Sequence, residues 1–160
     1  MYTLTLKNFK CFSEKTVTFH NLGFILLSAP SGTGKSTLLN GLFYAITGSL
    51  KGLSKKKVYA SFSLKSDNPN NDFTIVRNDT KTTLKIGKGE WTGTEAQARI
   101  DTLFPHFASV SYIDQLNLYN FTSLSPADKN EFLRDLLLKE FNIEQLEESV
   151  KKNIKDQKED

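Results

Sequence analysis

The stretch Ala29-Pro30-Ser31-Gly32-Thr33-Gly34-Lys35-Ser36-Thr37 carries the clearest chemistry in the sequence. It has the spacing of a P-loop, in the looser form that begins with alanine where the strict pattern has glycine. Glycines at 32 and 34 let the backbone wrap closely enough for its N–H groups to surround phosphates, and a helix starting at Lys35 adds the positive end of its dipole. Ser31, Gly32, Thr33 and Gly34 form the cradle. Lys35 reaches the β- and γ-phosphates of a nucleoside triphosphate, the Ser36 hydroxyl holds Mg²⁺, and Thr37 adds a hydroxyl near the α-phosphate. ATP and Mg²⁺ are the expected ligands.

Such a loop works only between a strand and a helix, and the flanking residues supply both patterns. Phe24-Ile25-Leu26-Leu27 is apolar at every position, as a strand buried on both faces should be. Leu38, Leu39, Leu42, Phe43 and Ile46 recur at helical spacing and Gly48 stops them, which predicts a helix over Lys35–Thr47. Ahead of the loop, Leu4, Leu6 and Phe9, then Val17 and Phe19, alternate as two strands of an antiparallel pair, the second arm running from Lys15 to His20. Behind it, Val58–Leu64, Phe73–Val76 and Thr82–Ile86 read as a meander separated by Asn, Asp, Pro and Gly. Thr94 to Phe104 predicts a short helix ending before Pro105, and Val110 to Ile113 returns to the sheet. Ser125-Pro126 opens a further helix with Phe132, Leu133, Leu136 and Leu137 on its apolar face. Beyond it Ile143, Leu146 and Val150 step at three and four residues, the spacing of a coiled-coil seam. The expected fold is α/β, a P-loop NTPase whose parallel core is flanked by an antiparallel β-sheet.

Composition narrows the class without choosing it. With 160 residues, 38% of them hydrophobic, the chain has material for one compact core. A net charge of +3 tolerates a polyanionic partner but is no dedicated basic surface. Lys51, Lys55, Lys56 and Lys57 form a basic loop that either faces water or meets phosphates. One cysteine, Cys11, with His20 and His106, excludes an intramolecular disulfide and leaves no ligand set for a structural zinc. The N-terminus alternates instead of presenting an apolar signal core, and no window reaches membrane-spanning length, so an intracellular, cytoplasmic or nuclear location is expected with no membrane partner.

A second block, Ser109-Val110-Ser111-Tyr112-Ile113-Asp114-Gln115, allows two readings. Val110 to Ile113 as a strand makes Asp114 the carboxylate that assists Mg²⁺; the alternative gives the polar role to Gln115.

Leu6-Lys7-Asn8-Phe9-Lys10-Cys11-Phe12, the P-loop, and Leu42-Phe43-Tyr44-Ala45-Ile46-Thr47-Gly48 resemble the opening of an SbcC-type ATPase, of the SMC-like branch of ABC ATPases. Tyr112-Ile113-Asp114-Gln115 is similar to that family's Q-loop, followed by a Ser-Pro helix start at Ser125-Pro126 and by Leu136-Leu137-Leu138 before the coiled coil. The resemblance covers about residues 1 to 48 and 107 to 148. It implies an ABC-type head's N-terminal lobe over residues 1–140 and the start of a coiled-coil helix over 141–160. It also implies that Gln115 touches Mg²⁺ and the attacking water, so that Gln115 and Lys35 carry the catalysis, and that Lys10 stands near the phosphates.

The same resemblance implies a composite site, in which each nucleotide lies between the P-loop of one head and a signature loop of another. This sequence has no Ser-Gly-Gly signature and no Walker B pair with adjacent acids. A C-terminal ATPase lobe, a homodimer of heads, double-stranded DNA and a nuclease subunit are the implied partners in repair or recombination. ATP binding with little turnover is expected until a C-terminal lobe is supplied. The alternatives are a DNA or RNA helicase, suggested by Ala29 but lacking an Asp-Glu box; a small self-contained P-loop kinase using Asp114; and a structural protein, against which the intact Lys35 and Ser36 argue.

Overall fold

A computed structural model of the chain describes residues 1–20, 23–49, 57–112 and 121–138. They fall into two compact units, residues 1–112 and the remainder. In the first, β1 (Tyr2–Phe9) and β2 (Phe12–Phe19) form the expected hairpin, closed by the two-residue turn Lys10-Cys11. The expected helix α1 spans Lys35–Thr47, and β3 (Tyr59–Leu64), β4 (Phe73–Asn78) and β5 (Thr82–Ile86) form the meander. A short strand β6 (Gly89–Thr92) extends it, and α2 follows over Gly93–Leu103. The strands make one six-stranded antiparallel sheet in the order β2-β1-β3-β4-β5-β6.

Alternation along the strands sorts the sheet into two faces. Leu4, Leu6, Ala60, Phe62, Ile75 and Leu84 are buried on the face that α1 and α2 cover, and their neighbours Thr3, Thr5, Ser61, Ser63, Thr74 and Thr83 are half-buried on the other. β6 has its signal in Gly87-Lys88-Gly89: Gly87 is left-handed, as a tight hairpin needs, and Ile86 pairs with Gly89.

Three expectations need correction. Phe24–Leu27 is not a strand, and Phe24 is 92% and Leu26 75% exposed. A run that is apolar at every position needs cover on both faces, whereas here Ile25 and Leu27 border a groove and Ile25 is itself 47% exposed. Consequently there is no parallel pair, and hence no parallel core, among the described strands. Val110 does not return to the sheet either: after His106, itself left-handed, residues Phe107–Ser111 form a π-helical turn. Phe107 there packs on Phe104 and Phe43, at 6.2 and 6.4 Å between ring centroids, which draws the segment onto α1 and leaves Val110 exposed.

The second unit contributes α3 (Pro126–Leu138), opened as expected by Ser125, whose hydroxyl accepts from the Asp128 N–H at 3.2 Å. Residues 139–160, with the expected coiled-coil seam, lie outside the described residues.

The C-terminus of α1 is fixed by a buried cation. Arg77 of β4 is 7% exposed and donates to the carbonyls of Ala45 and Ile46, both at 3.3 Å, to Thr82 Oγ1 at 2.7 Å and to Gln97 Oε1 of α2. These carbonyls are among the four that a helix end leaves without a partner. Burial pushes the guanidinium below its ordinary pKa, yet it stays charged at neutral pH. Gly48 ends the helix in the left-handed region, and a Cβ there would stand 2.6 Å from Arg77 Nη1. Arg77→Met removes the donors while keeping much of the volume, so the urea midpoint should fall by the equivalent of about 2–3 kcal/mol. An unchanged midpoint would show that Gln97 alone satisfies the helix end.

Candidate functional site

The P-loop sits at the N-terminus of α1, against the tip of the β1–β2 hairpin. Gly34 is left-handed at φ 97°, and a Cβ added to it would stand 2.5 Å from Phe12 Cζ and 2.9 Å from Cys11 Sγ. Cys11 Sγ also donates to Thr37 Oγ1 at 3.5 Å, so the turn bears on both Gly34 and the first turn of the helix. Lys10, directly before Cys11, is exposed and held at φ 51°. The fold therefore brings Cys11 and Phe12 against the loop, across more than twenty residues of sequence, with Lys10 preceding them in the turn.

Within the loop, side chains brace the backbone. Lys35 Nζ donates to the carbonyls of Ala29 at 2.7 Å and Pro30 at 2.8 Å, and Thr33 Oγ1 donates to Pro30 at 2.8 Å. Among the described residues no backbone N–H from Ser31 to Gly34 bonds to a backbone carbonyl; the first helical bond runs from Leu38 N to Gly34 O at 3.0 Å. Those donors, the positive helix end and the Lys35 ammonium together suit a polyanion. A phosphate oxygen competes with the Ala29 and Pro30 carbonyls for the ammonium, exchanging neutral acceptors for charged ones.

Ser31, Gly32, Thr33 and Ser36 are exposed, whereas Thr37 is buried with its hydroxyl toward Cys11. Among the described residues no group of three or more His, Cys, Asp or Glu side chains could hold a metal. One exposed hydroxyl at a P-loop fits instead a hard cation that arrives on triphosphate oxygens and keeps several waters, which suits Mg²⁺.

Asp114 and Gln115 lie outside the described residues. Of the strand that would make Asp114 a Walker B acid, Val110 and Ser111 belong instead to a π-helical turn. Tyr112, three residues before Gln115, is 7% exposed, packs its ring at a tilt against Phe43 with 4.4 Å between centroids and donates its hydroxyl to Asn40 Oδ1 at 2.7 Å. No sequence signal announces this pair, since its members stand 72 residues apart.

The sequence matches the AAA domain family over residues 3–160. The chain belongs to that family. This AAA domain is an ATP-binding P-loop NTPase domain. It is 33% identical over 160 residues to Uncharacterized protein 050L of Invertebrate iridescent virus 6, covering 97% of this chain and 14% of that protein. It is 31% identical over 156 residues to Uncharacterized protein 094L of Invertebrate iridescent virus 3, covering 94% of this chain and 18% of that one. The AAA domain thus spans less than a fifth of the length of either relative. No helix among the described residues is long and apolar enough to cross a membrane.

Two glycine variants test the cradle. Gly32 and Gly34 are both left-handed, but a Cβ at Gly32 meets nothing within 4 Å. Gly32→Ala should cost about 1 kcal/mol of backbone strain, and Gly34→Ala about 2–4 kcal/mol once overpacking against Phe12 is added, as read from thermal unfolding. Lys35→Ala, whose contacts are confined to the loop, should leave the unfolding curve in place and weaken ATP about 10- to 100-fold by equilibrium titration.

Proposed function

We propose that this AAA domain is the ATP-binding lobe of an SMC-like ATPase of DNA repair or recombination, an ABC-type head completed by a C-terminal lobe. The observation that carries the reading is the exposed apolar run ahead of the P-loop. Phe24 and Leu26 face outward from a segment whose composition belongs to a doubly covered strand, and Ile25 and Leu27 border a groove of about 410 Å³ that Leu4, Leu38, Leu42 and Phe62 also line. A lobe bringing its own strands would cover Phe24 and Leu26 and supply the parallel neighbours missing among the described strands.

In this reading the residues divide the work. Backbone N–H groups from Ser31 to Gly34 and the Lys35 ammonium hold the triphosphate, and Lys10 adds positive charge from the hairpin tip. Bound Mg²⁺ neutralises charge on the β- and γ-phosphate oxygens. Ser36 offers it a hydroxyl, and Gln115 offers an amide oxygen to it and to the attacking water. Catalysis of phosphoryl transfer is largely electrostatic, so a lobe without an opposing signature loop or a Walker B acid binds ATP and turns it over slowly. Head dimerisation, a coiled coil from residue 141 onward, double-stranded DNA and a nuclease subunit belong to the same reading and rest on the SbcC-type resemblance. The antiparallel sheet speaks against a self-contained kinase, which needs a parallel one.

ATP turnover by the chain alone, and with a C-terminal lobe carrying a signature loop and Walker B acids, is the direct test. Stimulation of at least about tenfold is expected, with Gln115→Ala lowering the stimulated rate more than ATP affinity. Leu26→Asp should abolish stimulation while the isolated chain keeps its affinity for ATP. Robust turnover by the isolated chain would overturn the proposal.

A further inference from the structure

We infer that Cys11 is a positioning residue for the nucleotide site: its thiol donates to Thr37 Oγ1 and so leaves the Thr37 hydroxyl proton for the α-phosphate. The inference rests on the placing of Thr37 beside that phosphate and names the group that orients its hydroxyl. Threonines elsewhere in α1 and α2 direct their protons to the helix itself. Thr47 donates to the Phe43 carbonyl at 2.8 Å and Thr102 to the Ala98 carbonyl at 3.1 Å, each four residues back. Thr37 accepts from Cys11 Sγ at 3.5 Å instead, and among the described residues nothing accepts its own proton. Its N–H also lacks a backbone carbonyl among the described residues, because the first helical bond starts at Leu38.

Burial makes that proton informative. Thr37 is 8% exposed, and its hydroxyl and N–H are two donors side by side at the first turn of the helix, an arrangement that suits an anionic oxygen. Sulfur is a weak acceptor, so the thiol is the donor of the pair and the threonine proton points away from it. The hairpin holds the thiol in place: Lys10 is left-handed at φ 51°, Phe9 pairs with Phe12, and a Cβ at Gly34 would come within 2.5 Å of Phe12 Cζ and 2.9 Å of Cys11 Sγ. Phe9, 1% exposed, packs on Tyr44 with 5.8 Å between ring centroids, so the hairpin rests on the same helix whose first turn it orients. Cys11 touches no phosphate in this scheme and acts through Thr37.

The test uses the full chain, titrated with ATP and with the two α-thio diastereomers of ATP, in which sulfur replaces one or the other non-bridging oxygen of the α-phosphate. A structural role would weaken all three ligands together; a positioning role alters the discrimination between them. The wild type should bind one diastereomer about three- to tenfold more weakly than ATP, the loss expected for one hydrogen bond. Thr37→Val should lose that discrimination and about three- to tenfold in ATP affinity. Cys11→Ala, a truncation at an exposed position, should keep the unfolding curve while losing about two- to fivefold in ATP affinity and most of the discrimination. Combined with Thr37→Val it should lose no more than Thr37→Val alone. Full discrimination in Cys11→Ala beside lost discrimination in Thr37→Val overturns the inference and leaves the placing of Thr37 standing. No discrimination in the wild type, or full discrimination in Thr37→Val, overturns that placing and the inference with it.

Discussion

The helix that follows the P-loop is gripped at both ends by the antiparallel sheet, and the rest of the site depends on that grip. At its N-terminus Phe12 and Cys11 of the first hairpin close on Gly34 and Thr37; at its C-terminus the Arg77 guanidinium takes the carbonyls of Ala45 and Ile46. One end supplies apolar and weakly polar contacts, the other a charge placed where the helix dipole is negative. A phosphate-binding loop has many backbone conformations to lose, and a helix held at two points leaves it few. Gly34 shows how tight the fit is, because the space its Cβ would need is taken by Phe12.

The same arrangement explains why the first unit is well packed on one side and unfinished on another. The sheet buries Leu6, Ile75 and Leu84 fully beneath the helices. Yet the segment that delivers the chain to the P-loop keeps Phe24 and Leu26 in solvent. Large apolar side chains exposed next to a phosphate cradle are an unusual cost for a domain to carry alone, and they give the proposed complementing lobe its physical rationale.

The candidate site combines local and distant contributions. Lys35, Thr33 and the carbonyls of Ala29 and Pro30 brace one another within seven residues, a local structure that needs little from the remainder of the chain. Cys11 and Tyr112 reach the same helix only because β1, β2 and the turn after α2 converge on it. Removal of a local brace and removal of a distant one are therefore different experiments on one site.

The amino-acid sequence by itself determined the P-loop, the span of α1, the first hairpin, the three-strand meander and the starts of α2 and α3. Each rests on periodicity, caps or turn residues that act within a few positions of one another. It did not determine the fate of Phe24–Leu27, because a fully apolar run reports a demand for cover without reporting whether the described residues meet it. Nor did it reveal that Phe107–Ser111 coils instead of extending, since the aromatic contacts of Phe107 with Phe43 and Phe104 come from two different helical ends. The buried Arg77, the wedge of Phe12 against Gly34 and the Asn40–Tyr112 pair were likewise decided by tertiary structure alone. Hydrogen bonds and close packing between residues 22 to 72 positions apart leave no periodic trace in the chain; they exist only once the sheet has folded beneath the helix.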